Sequence, residues 1–181
     1  MFELRQTELA GCVELTSIKR SDNRGYFVKT FHDSFFTQHG LAGGFKEQYY
    51  SMSNARCLRG MHFQLPPFDH EKLVFCISGA VQDVVVDLRV GSPTYGKTER
   101  VVLSEERSNM LYIPRGFAHG FYVLTANAVM VYNVTSEYAP SHDTGIHWRS
   151  VPNLWPDADP IISDRDAGFL MLEDFKSPFV Y

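Results

Sequence analysis

Polar side chains that could do chemistry stand inside apolar, strand-sized runs of this chain. The densest group is Leu58-Arg59-Gly60-Met61-His62-Phe63-Gln64, followed closely by Glu71-Lys72-Leu73-Val74. Arg and Lys are costly to bury without partners, so an anionic ligand explains them better than packing does. A second group, Ile113 to Phe121, carries His119 on a turn built from Pro114 and Gly116. A third is Tyr132 within Val129-Met130-Val131-Tyr132-Asn133-Val134, and a fourth is Ser163-Asp164-Arg165-Asp166-Ala167-Gly168. Taken singly, each has an ordinary structural reading. A strand His or Tyr is usually core, with its polar atom tied locally. His119 could simply brace its loop, and the Asp164–Asp166 stretch reads as a solvated turn.

The elements that must position these groups read as short strands. Apolar runs divided by turn residues predict strands near 12–19, 25–31, 46–53, 57–63, 72–77, 80–88, 98–103, 110–113, 119–124 and 128–135. Ser78-Gly79 marks a tight hairpin, and Gly91-Ser92-Pro93 a loop. One short helix is expected from Asp33, as N-cap, to Gly40, as stop. The last forty residues read as an irregular wrap with one further short helix. So many strands and so little helix fit an all-β jelly roll, two antiparallel sheets forming a small barrel whose mouth can hold one ligand. On the strand through His62, positions 58, 60, 62 and 64 share one face and 59, 61 and 63 the other, unless Gly60 marks a bulge that re-aims Arg59 or His62.

Composition narrows the class. The 181 residues suit one domain, 1–181, and hydrophobic and charged fractions of 44% and 21% are those of an ordinary globular chain. A net charge of −4 and a pI near 5.9 argue against a nucleic-acid partner. The opening Met1-Phe2-Glu3-Leu4-Arg5 lacks the apolar core of a signal peptide, and no run approaches a membrane span. Cys12, Cys57 and Cys76 form neither a disulfide framework nor a zinc motif, so a cytoplasmic location is expected.

The four groups together, in this order and spacing, resemble the dTDP-4-dehydrorhamnose 3,5-epimerase family. Matching stretches include Arg59 to Gln64, Lys72-Leu73-Val74, Asp83 to Arg89 with Ser92-Pro93-Thr94, and Ile113 to Phe121. Tyr132, Tyr138 with Pro140, Gly145-Ile146 with Trp148, Trp155-Pro156, and Ser163 with Asp166 match as well. The resemblance implies an RmlC-like cupin jelly roll forming a homodimer, with an N-terminal segment reaching the partner's site. It implies that His62 removes the proton beside a ketone, that Asp166 orients it, and that Tyr132 returns a proton from the other face. Lys72 would lie near the keto oxygen. Arg59, His119, Arg165 and Tyr138 would contact the diphosphate or sugar of a nucleotide-diphosphate sugar, and Arg24, Phe27, Lys29, Glu47 and Tyr49 complete the expected contacts. The chemistry is coherent: a weak carbon acid needs a placed base and a partner for the developing enolate oxygen.

No cofactor is expected, and no metal. Jelly rolls that bind metal commonly use His-x-His with a following Glu and a later His. Here His62 is followed by Phe63-Gln64, and only His119 matches the later position, so the ligand set is incomplete.

Four departures from the family fall where a nucleotide would be read. Lys29 stands at a commonly acidic position, and Glu47-Gln48-Tyr49 stands where Gln-Asp-Asn is common. Acid and amide present different hydrogen-bonding patterns from Lys and Glu, so a base other than thymine and a simple surface exchange creating a Lys29–Glu47 pair both remain open. Epimerisation at one carbon only, a sugar 3,4-ketoisomerase, a non-catalytic sugar-binding module and a metal-dependent oxygenase are the competing functions.

Overall fold

Alternating burial shows how the sequence builds its layers. In Val13–Ser17 the residues Val13, Leu15 and Ser17 are buried while Glu14 and Thr16 are half-exposed, the period of a strand with one face on a core. In Ala80–Asp87 nearly every residue is buried, so that strand is covered on both faces. A computed structural model describes residues 2–151 and 153–181.

Among the described residues thirteen strands follow in chain order: β1 (Phe2–Gln6), β2 (Val13–Ser17), β3 (Arg20–Asp22), β4 (Gly25–Phe27), β5 (Glu47–Asn54), β6 (Leu58–Gln64), β7 (Lys72–Ser78), β8 (Ala80–Asp87), β9 (Thr98–Ser104), β10 (Asn109–Ile113), β11 (Phe117–Val123), β12 (Asn127–Val134) and β13 (Asp143–Gly145). Two short α-helices join them, α1 (Asp33–Gln38) and α2 (Asp164–Ala167). A six-stranded sheet has the order β1-β2-β10-β7-β12-β5 and a five-stranded sheet the order β13-β6-β11-β8-β9, while β3 and β4 form a two-stranded sheet of their own. All named pairings are antiparallel. Among the described residues no ladder joins the two sheets, so the jelly roll is an open sandwich rather than a closed barrel.

Val74, Val85, Leu103, Leu111 and Phe121 fill the space between the sheets. The outer face of the five-stranded sheet is covered by the C-terminal wrap, where Phe175 and Phe179 pack on Phe63. The outer face of the six-stranded sheet is covered near β2, β10 and β7 by Phe31, Phe35, Phe36 and Phe45 on and around α1. Beyond them Tyr50 and Met52 of β5 lie exposed.

The expected strands are found, with differences at their edges. The run expected at 25–31 is strand only over Gly25–Phe27, because its partner β3 is three residues long. β1, β3 and β13 were not foreseen. Asp143-Thr144-Gly145 has no strand-favouring pattern and becomes a strand only because β6 offers it an edge. The helix is displaced by one residue: His32 is its N-cap and Asp33 its first residue, while Gly40 stops it with φ +68°. No helix among the described residues is long and apolar enough to cross a membrane.

Candidate active site

β6 does not alternate simply. His119 of β11 faces His62, but Phe121, two residues on, faces Arg59, three residues back. β6 therefore carries one extra residue, a bulge at Gly60, and Arg59, His62 and Gln64 all line the same cavity. Gly60 has φ +136°, and a Cβ there would lie 2.5 Å from the Gly120 Cα, so only glycine suits the bulge.

The bulge also orients Asp166. Ser163 caps α2 by accepting the Asp166 N–H at 3.1 Å. One Asp166 carboxylate oxygen accepts the Gly60 N–H at 3.0 Å and the other meets His62 Nε2 at 2.8 Å. Burial opposes ionisation of this carboxyl, but the His62, Gly60 and Ser163 bonds outweigh it and hold the pKa below its ordinary value. With Nε2 donating to that carboxylate, the lone pair of His62 lies on Nδ1.

The cavity, of about 350 Å³, opens between the sheets. From the five-stranded sheet come Arg59, His62, Gln64, His119 and Phe121, and from the six-stranded sheet Glu47, Tyr49, Ser51, Lys72 and Tyr132. His62 and Tyr132 thus enter from opposite walls. The Tyr132 hydroxyl lies 3.1 Å from Ser51 Oγ, and its ring is stacked on Tyr49 at 4.7 Å and 15°. Burial pushes the Tyr132 phenol well above its ordinary pKa, so it stays protonated.

Lys72 is buried and donates to the His62 carbonyl at 3.2 Å. Burial lowers its pKa to about 8, against the opposing pull of Asp143 and Asp83. His119 Nε2 lies 2.8 Å from Asp83 Oδ2, with both residues buried, and Asp83 Oδ1 has no hydrogen-bond partner among the described residues. The cation on Lys72 is present below about pH 8 and lost above it. If that cation assists the reaction, kcat/KM should fall as pH rises through about 8. A Lys72→Arg variant should keep whatever activity it retains to higher pH; an unchanged alkaline limb in that variant would remove Lys72 from the step.

Arg59 donates to Ser53 Oγ at 2.8 Å and has no acidic partner among the described residues. Its remaining N–H groups are free to hold an anion. Arg165 also lines the cavity, paired with Asp143 at 2.7 Å, and Tyr138 stands exposed at its rim. The Tyr138 N–H donates to Glu47 at 2.7 Å, and within the chain Glu47 forms no ion pair with Lys29. His62, Tyr132, Lys72, Arg59, His119, Tyr138, Glu47, Tyr49 and Arg165 therefore converge, with Asp166 directly behind His62. Arg24, Phe27 and Lys29 do not line this cavity; Arg24 pairs with Asp22 on the exposed β3–β4 hairpin.

Ser51, Gln64, His70, Asp83, Ser136 and Asp143 belong to the site or its support without having been assigned roles from sequence. Asp83 carried a readable signal, an acid inside the otherwise apolar Val84-Val85-Val86 strand. Ser136 and Asp143 carried none, because they sit on irregular segments. Burial pushes His70 down to about 3, so its imidazole is neutral. His62 and His119 are each engaged by their own carboxylate, and among the described residues no group of three His, Cys, Asp or Glu side chains is placed to hold an ion.

A sequence profile of the dTDP-4-dehydrorhamnose 3,5-epimerase family matches residues 6–174. The dTDP-4-dehydrorhamnose 3,5-epimerase of Sinorhizobium fredii is 40% identical over 167 residues, covering 90% of this chain and 86% of that protein. The crystal structure of the 3,5-epimerase RmlC from Legionella pneumophila, in complex with dTDP-4-keto-L-rhamnose, superposes with a TM-score of 0.93 at 33% identity over the whole of both chains. ChmJ, a 3′-monoepimerase from Streptomyces bikiniensis in complex with dTDP-quinovose, superposes at 0.85 with 33% identity, covering 92% of this chain and 86% of that one. The chain belongs to the dTDP-4-dehydrorhamnose 3,5-epimerase family and is an isomerase of that class.

Proposed function

We propose that the protein epimerises a nucleoside-diphosphate 4-keto-6-deoxyhexose at C3, C5 or both, by proton transfer between His62 and Tyr132. The observation that carries this reading is the placement of a carboxylate-backed imidazole and a protonated phenol on opposite walls of one cavity. His62 Nδ1 takes the proton from the carbon beside the ketone, and the C–H electron pair passes into an enolate. Lys72 and His119 face the developing oxygen charge. Tyr132 then gives its proton to the opposite face of that carbon, which inverts it. Solvent resets the imidazolium and the phenolate. Arg59 and Arg165 hold the diphosphate.

Incubation with dTDP-4-keto-6-deoxyglucose in heavy water, and with the UDP, CDP and GDP analogues, tests the reaction. Deuterium is expected at an inverted carbon, while failure to exchange with all four nucleotides would overturn the proposal. Tyr132→Phe should lose inversion by about 10²-fold or more while retaining exchange at C3. Undiminished inversion in that variant would exclude Tyr132 as the acid.

Glu47 and Tyr138 at the rim would read the base, and the departure at Glu47 favours trying bases other than thymine. Thermal stabilisation by each nucleoside diphosphate ranks them. The same reading includes a homodimer. Two observations support it: Arg24, Phe27 and Lys29 lie away from their own chain's cavity, and Tyr50 and Met52 leave an apolar strip on the outer face of β5. A second copy covering that strip would bring the hairpin of one protomer to the other's site. A chain that sediments as a monomer at assay concentration would remove this part.

A further inference from the structure

The acid of the proton-transfer scheme belongs to a tyrosine pair whose second member that scheme leaves unused. Tyr49 and Tyr132 are direct cross-strand partners on β5 and β12, with both side chains on the inner face. Their rings lie nearly parallel, 4.7 Å apart and 15° from coplanar. β5 is the edge strand of its sheet, and Tyr49 is 42% exposed where Tyr132 is 7% exposed. Tyr49 therefore stands between the phenol of Tyr132 and the open edge. The next inward residue on β5, Ser51, meets the Tyr132 hydroxyl at 3.1 Å, and the His119 ring lies 6.3 Å from the Tyr132 ring between centroids, inclined at 67°.

We propose that Tyr49 is a positioning residue for Tyr132: its ring, stacked flat on the phenol, holds the hydroxyl on Ser51 and facing the cavity. The inference rests on Tyr132 being the acid. A phenol that must deliver a proton to one face of a carbon has to be held within a fraction of an ångström and a narrow range of angles. Ser51 fixes only the hydroxyl; tilting of the ring about that point is resisted by the aromatic face beside it. A misplaced phenol protonates the enolate more slowly, and the His62 imidazolium, exchanged with solvent, then returns a proton to the face it came from, giving exchange with retention. Tyr49 thus acts on the partition of the enolate rather than on its formation. This differs from a direct contact with substrate, which would change KM and leave the partition alone.

The test is the ratio of inversion to exchange with retention, read by NMR from dTDP-4-keto-6-deoxyglucose in heavy water with the full chain. Tyr49→Ala is expected to lower that ratio by roughly 3- to 10-fold, the size of one aromatic pairing, with the total rate of C–H cleavage changed far less. Tyr49→Phe, which keeps the flat face and drops the hydroxyl, should restore the ratio. Tyr49→Leu, which keeps bulk without a flat ring, serves where the alanine variant does not fold, and its ratio should fall as well. An unchanged ratio in the alanine or leucine variant, with only KM raised, would overturn the proposal. So would a phenylalanine variant that falls as far as alanine, since the hydroxyl would then be the active group. Tyr132→Phe separates the two levels: if it inverts normally, the acid assignment fails first, and the role of Tyr49 falls with it.

Discussion

His62→Asn is expected to abolish both deuterium exchange and inversion, lowering kcat by at least about 10³-fold, within the 10²–10⁴ range of a well-placed general base. The size follows from how completely the structure commits this side chain. Its Nε2 is bound at 2.8 Å to Asp166, which is itself fixed by the Gly60 N–H at 3.0 Å and by the Ser163 cap. That leaves one nitrogen, Nδ1, for the substrate, and asparagine offers no group of comparable basicity there. Asp166→Asn should cost less, about 10²-fold, because an amide oxygen can still accept the Nε2 proton but cannot stabilise the imidazolium that forms. Since the two residues work as a unit, the double variant should fall little below His62→Asn alone. Exchange that survives in His62→Asn at more than a few per cent of the original rate would place the base elsewhere.

The second large effect is on stability. Gly60→Ala should destabilise the fold by about 3–5 kcal/mol, at the extreme of single substitutions, as measured by the midpoint of urea unfolding. The added Cβ would lie 2.5 Å from the Gly120 Cα and 3.0 Å from the His119 carbonyl, both backbone atoms that cannot rotate away, and the backbone holds φ +136°. Relief requires β6 and β11 to separate or β6 to lose its extra residue. Losing it would turn either Arg59 or His62 off the cavity wall, so the variant that does fold should also be impaired in exchange. Gly44→Ala is the control: nothing lies within 4 Å of its Cβ and its φ is not in the left-handed region, so its unfolding free energy should stay within about 0.5–1 kcal/mol of the parent. An unperturbed midpoint for Gly60→Ala would contradict the bulge.

The strands were readable because alternation is a local property. Val13–Ser17 and the long runs at β7, β8 and β12 announce themselves by residue type, and the turns between them by Gly, Ser and Pro. The polar intrusions were readable for the same reason: Arg59, His62, Lys72, His119 and Tyr132 are out of place in apolar strands unless a cavity receives them. Family resemblance then tied Asp166, in a stretch that composition alone would leave in solvent, to His62. Arg24 and Phe27 of the N-terminal hairpin and Lys29 just after it are the exception, since the structure leaves them away from their own chain's cavity.

By itself the sequence determined the class of fold, the family, and most of the side chains that meet in the cavity, because pattern and residue type are written into each short segment. Only the tertiary structure decided how those side chains face one another. The bulge at Gly60 became a fact only when β11 was laid beside β6 with one residue fewer. The bond from Asp166 to His62 spans 104 positions, and that from His119 to Asp83 spans 36. The Tyr49–Tyr132 stack exists because β5 pairs with β12 in a single register, and a slip of one residue would send Tyr49 to the outer face. Register and long-range pairing depend on the packing of the whole sandwich, which no local stretch of sequence contains.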